Sequence, residues 1–141
     1  MAFKVQIVNT WAASLEDVPG AMASKLEALA KAGVNLEFLI ARRKPDRAGQ
    51  GVVFVTPVKG AAGIRAAKAA GFSKTDSMHT VRAEGPDKKG VCGRISRSLA
   101  DAGLNLRGFS AAAISKKFVV HVALDSANDA AKAVRTLRAL K

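Results

Sequence analysis

The sequence predicts an α+β protein of two ferredoxin-like βαββαβ units, each an antiparallel sheet with its helices on one face. Three observations lead there. The first is an internal repeat. Residues 17–36 read DVPGAMASKLEALAKAGVNL, residues 87–106 read DKKGVCGRISRSLADAGLNL, and the two align without a gap at an offset of 70. Eight of the 20 positions are identical: Asp17/Asp87, Gly20/Gly90, Leu29/Leu99, Ala30/Ala100, Ala32/Ala102, Gly33/Gly103, Asn35/Asn105 and Leu36/Leu106. Two glycine pairs and an asparagine pair are more than shared alanine content gives. The second observation is that both copies carry the same order of elements. The third is size and balance. A chain of 141 residues, 49% hydrophobic and 24% charged, has the composition of a globular protein of one ordinary domain or two small ones. The division expected is 1–75 and 76–141.

The elements follow in order. An extended stretch at 9–15 leads to Asp17. A helix over 20–32 has Met22, Leu26 and Leu29 at helical spacing. Pro19 suits the first helical position, where a missing N–H costs little, and Gly33 suits a left-handed C-terminal cap. Strands are expected at 34–43 and 51–58 around a turn with Pro45, Asp46 and Gly49; the run VVFV is short and β-branched. A second helix covers 61–70, and 73–78 completes the first sheet. In the second unit 78–84 is extended. The helix over 90–102 points Cys92, Ile95 and Leu99 inward. Strands at 104–113 and 118–124 share a shorter turn. Ser126 and Asp129 resemble a capping box before a helix over 127–140. That helix has Ala130, Val134 and Leu137 inward and Lys132, Arg135, Arg138 and Lys141 as an outer basic stripe. The second unit then lacks a fourth strand, or residues 3–8 supply it.

Several function classes find no support. No apolar run approaches the roughly 18–20 residues that span a bilayer, and the N-terminus has no apolar core of a secretory signal. The expected compartment is the cytoplasm. A single cysteine, Cys92, excludes an internal disulfide. The only histidines, His79 and His121, fall on expected strands at positions the repeat does not share, His121 as a half-buried residue. Cys92 takes an apolar position of the repeat, that of Met22, and reads as core. No metal-ligand spacing, paired carboxylates or phosphate loop appears, and the glycines at 60 and 63 lack a P-loop lysine. No enzyme and no cofactor is expected. The net charge of +12 invites a nucleic-acid partner. It is spread evenly over the two halves, and aromatics are only 5%. An RNA-recognition motif shares this topology, but of its third-strand pattern only Gly51, Phe54 and Val55 are present.

The repeated polar residues have two readings each. Asp17 and Asp87 precede a helix, as caps or as polar groups at the mouth of a ligand loop. Gly20 and Gly90 open the helix without a side chain, sparing a clash or letting a carboxylate reach backbone N–H groups. Asn35 and Asn105 are unusual near a strand, as turn residues or as ligand contacts.

With D-x-P-G before a helix, L-x-x-A-G-V-N-L after it, then a hairpin and a helix ending A-G-F, the first unit resembles the ACT domain. G-P-D-K-K-G and L-A-D-A-G-L-N-L in the second resemble the same motif, with Lys89 where the first has Pro19. The whole chain is similar to small stand-alone proteins of two tandem ACT domains. The resemblance implies a regulatory module that binds a small molecule, commonly an amino acid, at interfaces between paired domains. A homo-oligomer, a dimer or larger, is expected, and no membrane partner, since no apolar run is long enough to span one. Carried over by position, the ligand residues are Asp17, Gly20, Ala21, Met22, Val34 and Asn35, with Asp87, Gly90, Val91, Cys92, Leu104 and Asn105. RNA binding through the basic surface is the alternative.

Overall fold

A computed structural model describes residues 3–76 and 78–141. In chain order the elements are β1 (Lys4–Val8), β2 (Trp11–Glu16), α1 (Ala21–Lys31), β3 (Phe38–Arg43), β4 (Gln50–Thr56), α2 (Gly60–Ala69), β5 (Ser73–Lys74), β6 (His79–Pro86), α3 (Val91–Asp101), β7 (Gly108–Ile114), β8 (Lys117–Leu124) and α4 (Ala127–Arg138). They form two compact units. One is residues 9–75; the other is residues 76–141 together with the N-terminal strand.

In the unit of residues 9–75 the sheet order is β3-β4-β2-β5, all antiparallel. Trp11, Ala13, Val53 and Val55 alternate with more exposed neighbours and put one sheet face into a core shared with Leu29 of α1, Ala67 of α2, Val58 and Phe72. Period two makes that face continuous. Gly51 lets β4 approach β3, since a Cβ there would stand 2.8 Å from the Arg42 carbonyl oxygen.

The other unit has the order β1-β6-β8-β7, again antiparallel. Phe118, Val120, Val122 and Leu124 of β8 face Ile95 and Leu99 of α3 and Ala130, Val134 and Leu137 of α4. The fourth strand comes from the other end of the sequence. β1 lies beside β6 with Val5 opposite Ala83, and Phe3 and Val5 enter this core. The N-terminal segment therefore sides with residues 76–141, where the sequence-based division at 1–75 puts it with its neighbours in sequence. Of the stretch at 73–78 expected to complete the first sheet, only Ser73–Lys74 is strand, and Ser77 lies outside the described residues.

The repeat is exact in its first helices: α1 and α3 coincide at the offset of 70. Trp11 pairs with Val55 and Val81 with Val122, so the offset has fallen to 67 after the hairpin. The three residues lost shorten the second hairpin turn. Ser126 caps α4, its hydroxyl accepting from the Asp129 N–H at 3.0 Å.

Four expectations are corrected. Pro19 stands outside α1, whose N-cap is Gly20. Cys92 is exposed; Val91, a turn before Ile95, fills the inner position, and Cys92 points about 100° away from it. Met22 is exposed for the same reason. His121 is more than half-buried, at 6% exposure.

Candidate functional site

The two loops that precede α1 and α3 are built alike. Gly20 (φ +88) and Gly90 (φ +82) take the left-handed conformation that glycine adopts freely, and turn the chain into the helix. Neither helix has a side-chain cap or an acidic residue in its first turn. The aspartates therefore do not cap. Their backbones instead close the neighbouring hairpins: the Asp17 N–H donates to the Gly49 carbonyl, and that of Asp87 to the Lys116 carbonyl. In α3 the Val91 N–H is used by Lys88 and that of Arg94 by Gly90. Cys92 and Gly93 keep N–H groups without a partner among the described residues, at the positive end of the helix.

What stands opposite these loops differs. In the first unit the Asp17 carboxylate accepts from the Arg43 Nε at 2.8 Å. The pair is exposed and adds little stability, but it lays a side chain across the loop. Position 43 corresponds to Ala113 at the offset of 70. With alanine there, the second unit holds an open cleft of about 430 Å³. Asp87, Lys88, Lys89, Gly90, Val91 and Cys92 form one side. Ala111, Ala112 and Ala113 of β7 form the other, with Phe118 behind them.

The structure thus gathers Asp87, Gly90, Val91 and Cys92 around one space. Leu104 is in the core, and Asn105 is exposed beyond the far end of α3, about 16 Å of helix away. The first unit has the same separation. Asp17, Gly20, Ala21 and Met22 lie at the start of α1, and half-buried Val34 and exposed Asn35 lie past its end. Glycine and asparagine of one unit therefore cannot hold the two ends of one small ligand. Sequence reasoning missed Ala111, Ala112, Ala113 and Phe118. The signal was the exchange of Arg42 and Arg43 for Ala112 and Ala113 at matched positions of the two strands.

Other titratable groups point away from chemistry at this cleft. His121 lies on β8 opposite Arg82 of β6 and Ser110 of β7, on the sheet face turned from the helices. Burial, then the Arg82 charge, lowers its pKa to about 4. The Arg82 guanidinium, 3.0 Å from Glu84, holds that carboxyl below its ordinary value. Among the described residues no group of three or more His, Cys, Asp or Glu side chains could hold a metal ion. No helix among them is long and apolar enough to cross a membrane.

No protein-family model and no curated protein matches the chain. Solved structures do, and they define the class: the fold is that of two tandem ACT-type units, found in regulatory subunits of aspartate kinase. The regulatory subunit of aspartate kinase from Thermus thermophilus, in its ligand-free form, is 17% identical over 99% of this chain and 97% of its own, with a TM-score of 0.67. Protein BT0572 from Bacteroides thetaiotaomicron is 17% identical over 93% of this chain and 88% of its own, with a TM-score of 0.76. Aspartokinase III of E. coli, solved with lysine and aspartate in its T-state, is 12% identical over 99% of this chain and 33% of its own, at a TM-score of 0.55. At these identities the likeness is one of fold.

Proposed function

We propose that this chain is a cytoplasmic, non-enzymatic regulatory or sensor protein that binds a small ligand of the amino-acid class in the cleft before α3. The observation that carries the reading is the contrast between the two loops. One is crossed by the Asp17–Arg43 pair, and the other is open, with unpaired helix N–H groups beside Lys88 and Lys89. The cleft suits an α-amino acid. The N–H group of Cys92 and the lysine charges favour a carboxylate, and the Asp87 carboxylate favours an ammonium. The alanines of β7 and Phe118 offer an apolar wall to a side chain. Aspartokinase III of E. coli, which has this fold over a third of its length, was solved with lysine and aspartate, both of this ligand class.

The chain acts in this reading as a homo-oligomer. Ligand held in the cleft favours one arrangement of copies over another, and that difference in affinity is what regulates.

The test is a thermal-shift screen of the purified chain against the standard amino acids. Ligand at about 100 times its dissociation constant stabilises by about 2.7 kcal/mol, a shift of several degrees. Ala113→Arg places in the second unit the residue that crosses the first. The expected result is a selective shift with one amino acid, lost in Ala113→Arg at unchanged intrinsic stability. No shift with any amino acid, or a shift that survives in Ala113→Arg, overturns the proposal.

A further inference from the structure

We propose that the outer face of α3 and α4 binds the phosphate backbone of duplex nucleic acid, without regard to base sequence. The two helices carry Arg94, Arg97, Lys132, Arg135 and Arg138, and Lys141 follows. Their only acidic residues are Asp101 and Asp129. Among the described residues Arg97 alone of these cations has an acidic partner, Asp101 at 3.7 Å. Arg138 is held without being neutralised, donating to the Val5 carbonyl at 2.9 Å, and Arg94 donates to a main-chain oxygen of Lys141. Lys132 and Arg135 are exposed on the side of α4 opposite Ala130, Val134 and Leu137. Between α3 and the end of α4 runs an open groove of about 510 Å³ whose lining includes Arg94, Arg97, Ser98 and Leu140, with Asp101 its one acidic residue.

Four guanidinium groups on two adjacent helices suit phosphate, which they bind through paired N–H donors. The helices of the other unit contain one arginine, Arg65. α4 is about 18 Å long, roughly five base steps of a duplex. Neither α3 nor α4 carries an aromatic residue, so this face offers no platform to stack unpaired bases, and a paired backbone is the form of nucleic acid that fits it. A lipid surface fits less well. Among the described residues the exposed large hydrophobics are Ile7, Val18, Met22 and Ile114, and none lies on α3 or α4 to enter a bilayer.

Fluorescence anisotropy with a labelled 24-base-pair duplex of arbitrary sequence, titrated with the full chain from 50 to 200 mM salt, tests the proposal. Six phosphate contacts give a slope of log affinity on log salt of about −5, a loss of roughly a thousandfold over that range. Lys132→Glu with Arg135→Glu should weaken binding at least tenfold at 50 mM salt and flatten the slope by about 2. Arg65→Glu with Lys68→Glu changes net charge equally on the other unit and should leave affinity within about twofold. Absence of binding at 50 mM salt overturns the proposal. So does equal loss in both double variants, which would make net charge the cause. Binding to phosphatidylserine vesicles without binding to the duplex also overturns it.

Discussion

The N-terminal strand offers a demanding check of the fold, because it stabilises a unit from which 70 residues of sequence separate it. Phe3 and Val5 are 6% and 4% exposed, in the same core as Val81, Leu124 and Leu137. Phe3→Ala removes a buried ring, a change that costs about 3–5 kcal/mol in a closed core. Phe3 precedes the first residue of β1, where the chain can partly collapse into the space, so a loss of about 3 kcal/mol is expected. With a urea dependence of about 2 kcal/mol per molar, the midpoint falls by roughly 1.5 M. Urea unfolding followed by circular dichroism measures the loss, and amide hydrogen exchange locates it. Protection should fall in β6 and β8, which share a sheet with β1, more than in β2 and β4. Fluorescence of Trp11, the one tryptophan, reports separately on residues 9–75. A loss below about 1 kcal/mol, or protection lost mainly in β2 and β4, would refute the placement of β1.

Two further outcomes follow from single side chains. His121 has a folded pKa of about 4 against an ordinary 6.5, so protonation favours the unfolded chain; its contribution is intact above about pH 6.5 and is lost as pH falls towards 4. The gap corresponds to at most roughly 3 kcal/mol, and urea unfolding from pH 7 to 4 should show a steeper decline for the wild type than for His121→Gln; parallel profiles would exclude the histidine as the cause. Ser126→Ala removes the cap on Asp129 and should cost about 1 kcal/mol, largely restored by Ser126→Asp, as read from the shift in melting temperature.

The helices and the fold class were legible because their signals are local. Gly33, Gly71 and Gly103 end helices with positive φ, and the repeat places α1 and α3 at one offset. The partner of a side chain was not legible. Asp17 reads as a cap from its neighbours, yet its carboxylate goes to Arg43, 26 residues on. Cys92 reads as core from its match to Met22, but that match is between two exposed positions. Helical spacing fixes which residues share a face, not which face is inward; the buried pair Val91 and Ile95 settles that. Asn35 and Asn105 drew attention as repeated polar residues, and only the length of the helix between glycine and asparagine shows that they belong to a different end of the unit.

The same contrast bears on how a duplicated module divides its labour. The two loops keep the glycine turn, the uncapped helix and the aspartate whose N–H ties the hairpin. They differ where β3 and β7 pass in front: Ala41, Arg42 and Arg43 in one, three alanines in the other. The arginine at position 43 pairs with Asp17, the counterpart of the aspartate proposed to meet an ammonium. Opening the first loop therefore requires more than a smaller side chain. Arg43→Ala frees Asp17 and clears the path, but the loop still carries Val18 and Pro19 where the second has Lys88 and Lys89. A carboxylate would find the helix end without the two flanking cations. If the cations matter to the ligand, Arg43→Ala gives space without affinity, and thermal stabilisation by the ligand stays that of one site. If the helix N–H groups suffice, the same variant should show a second site of comparable strength in a calorimetric titration.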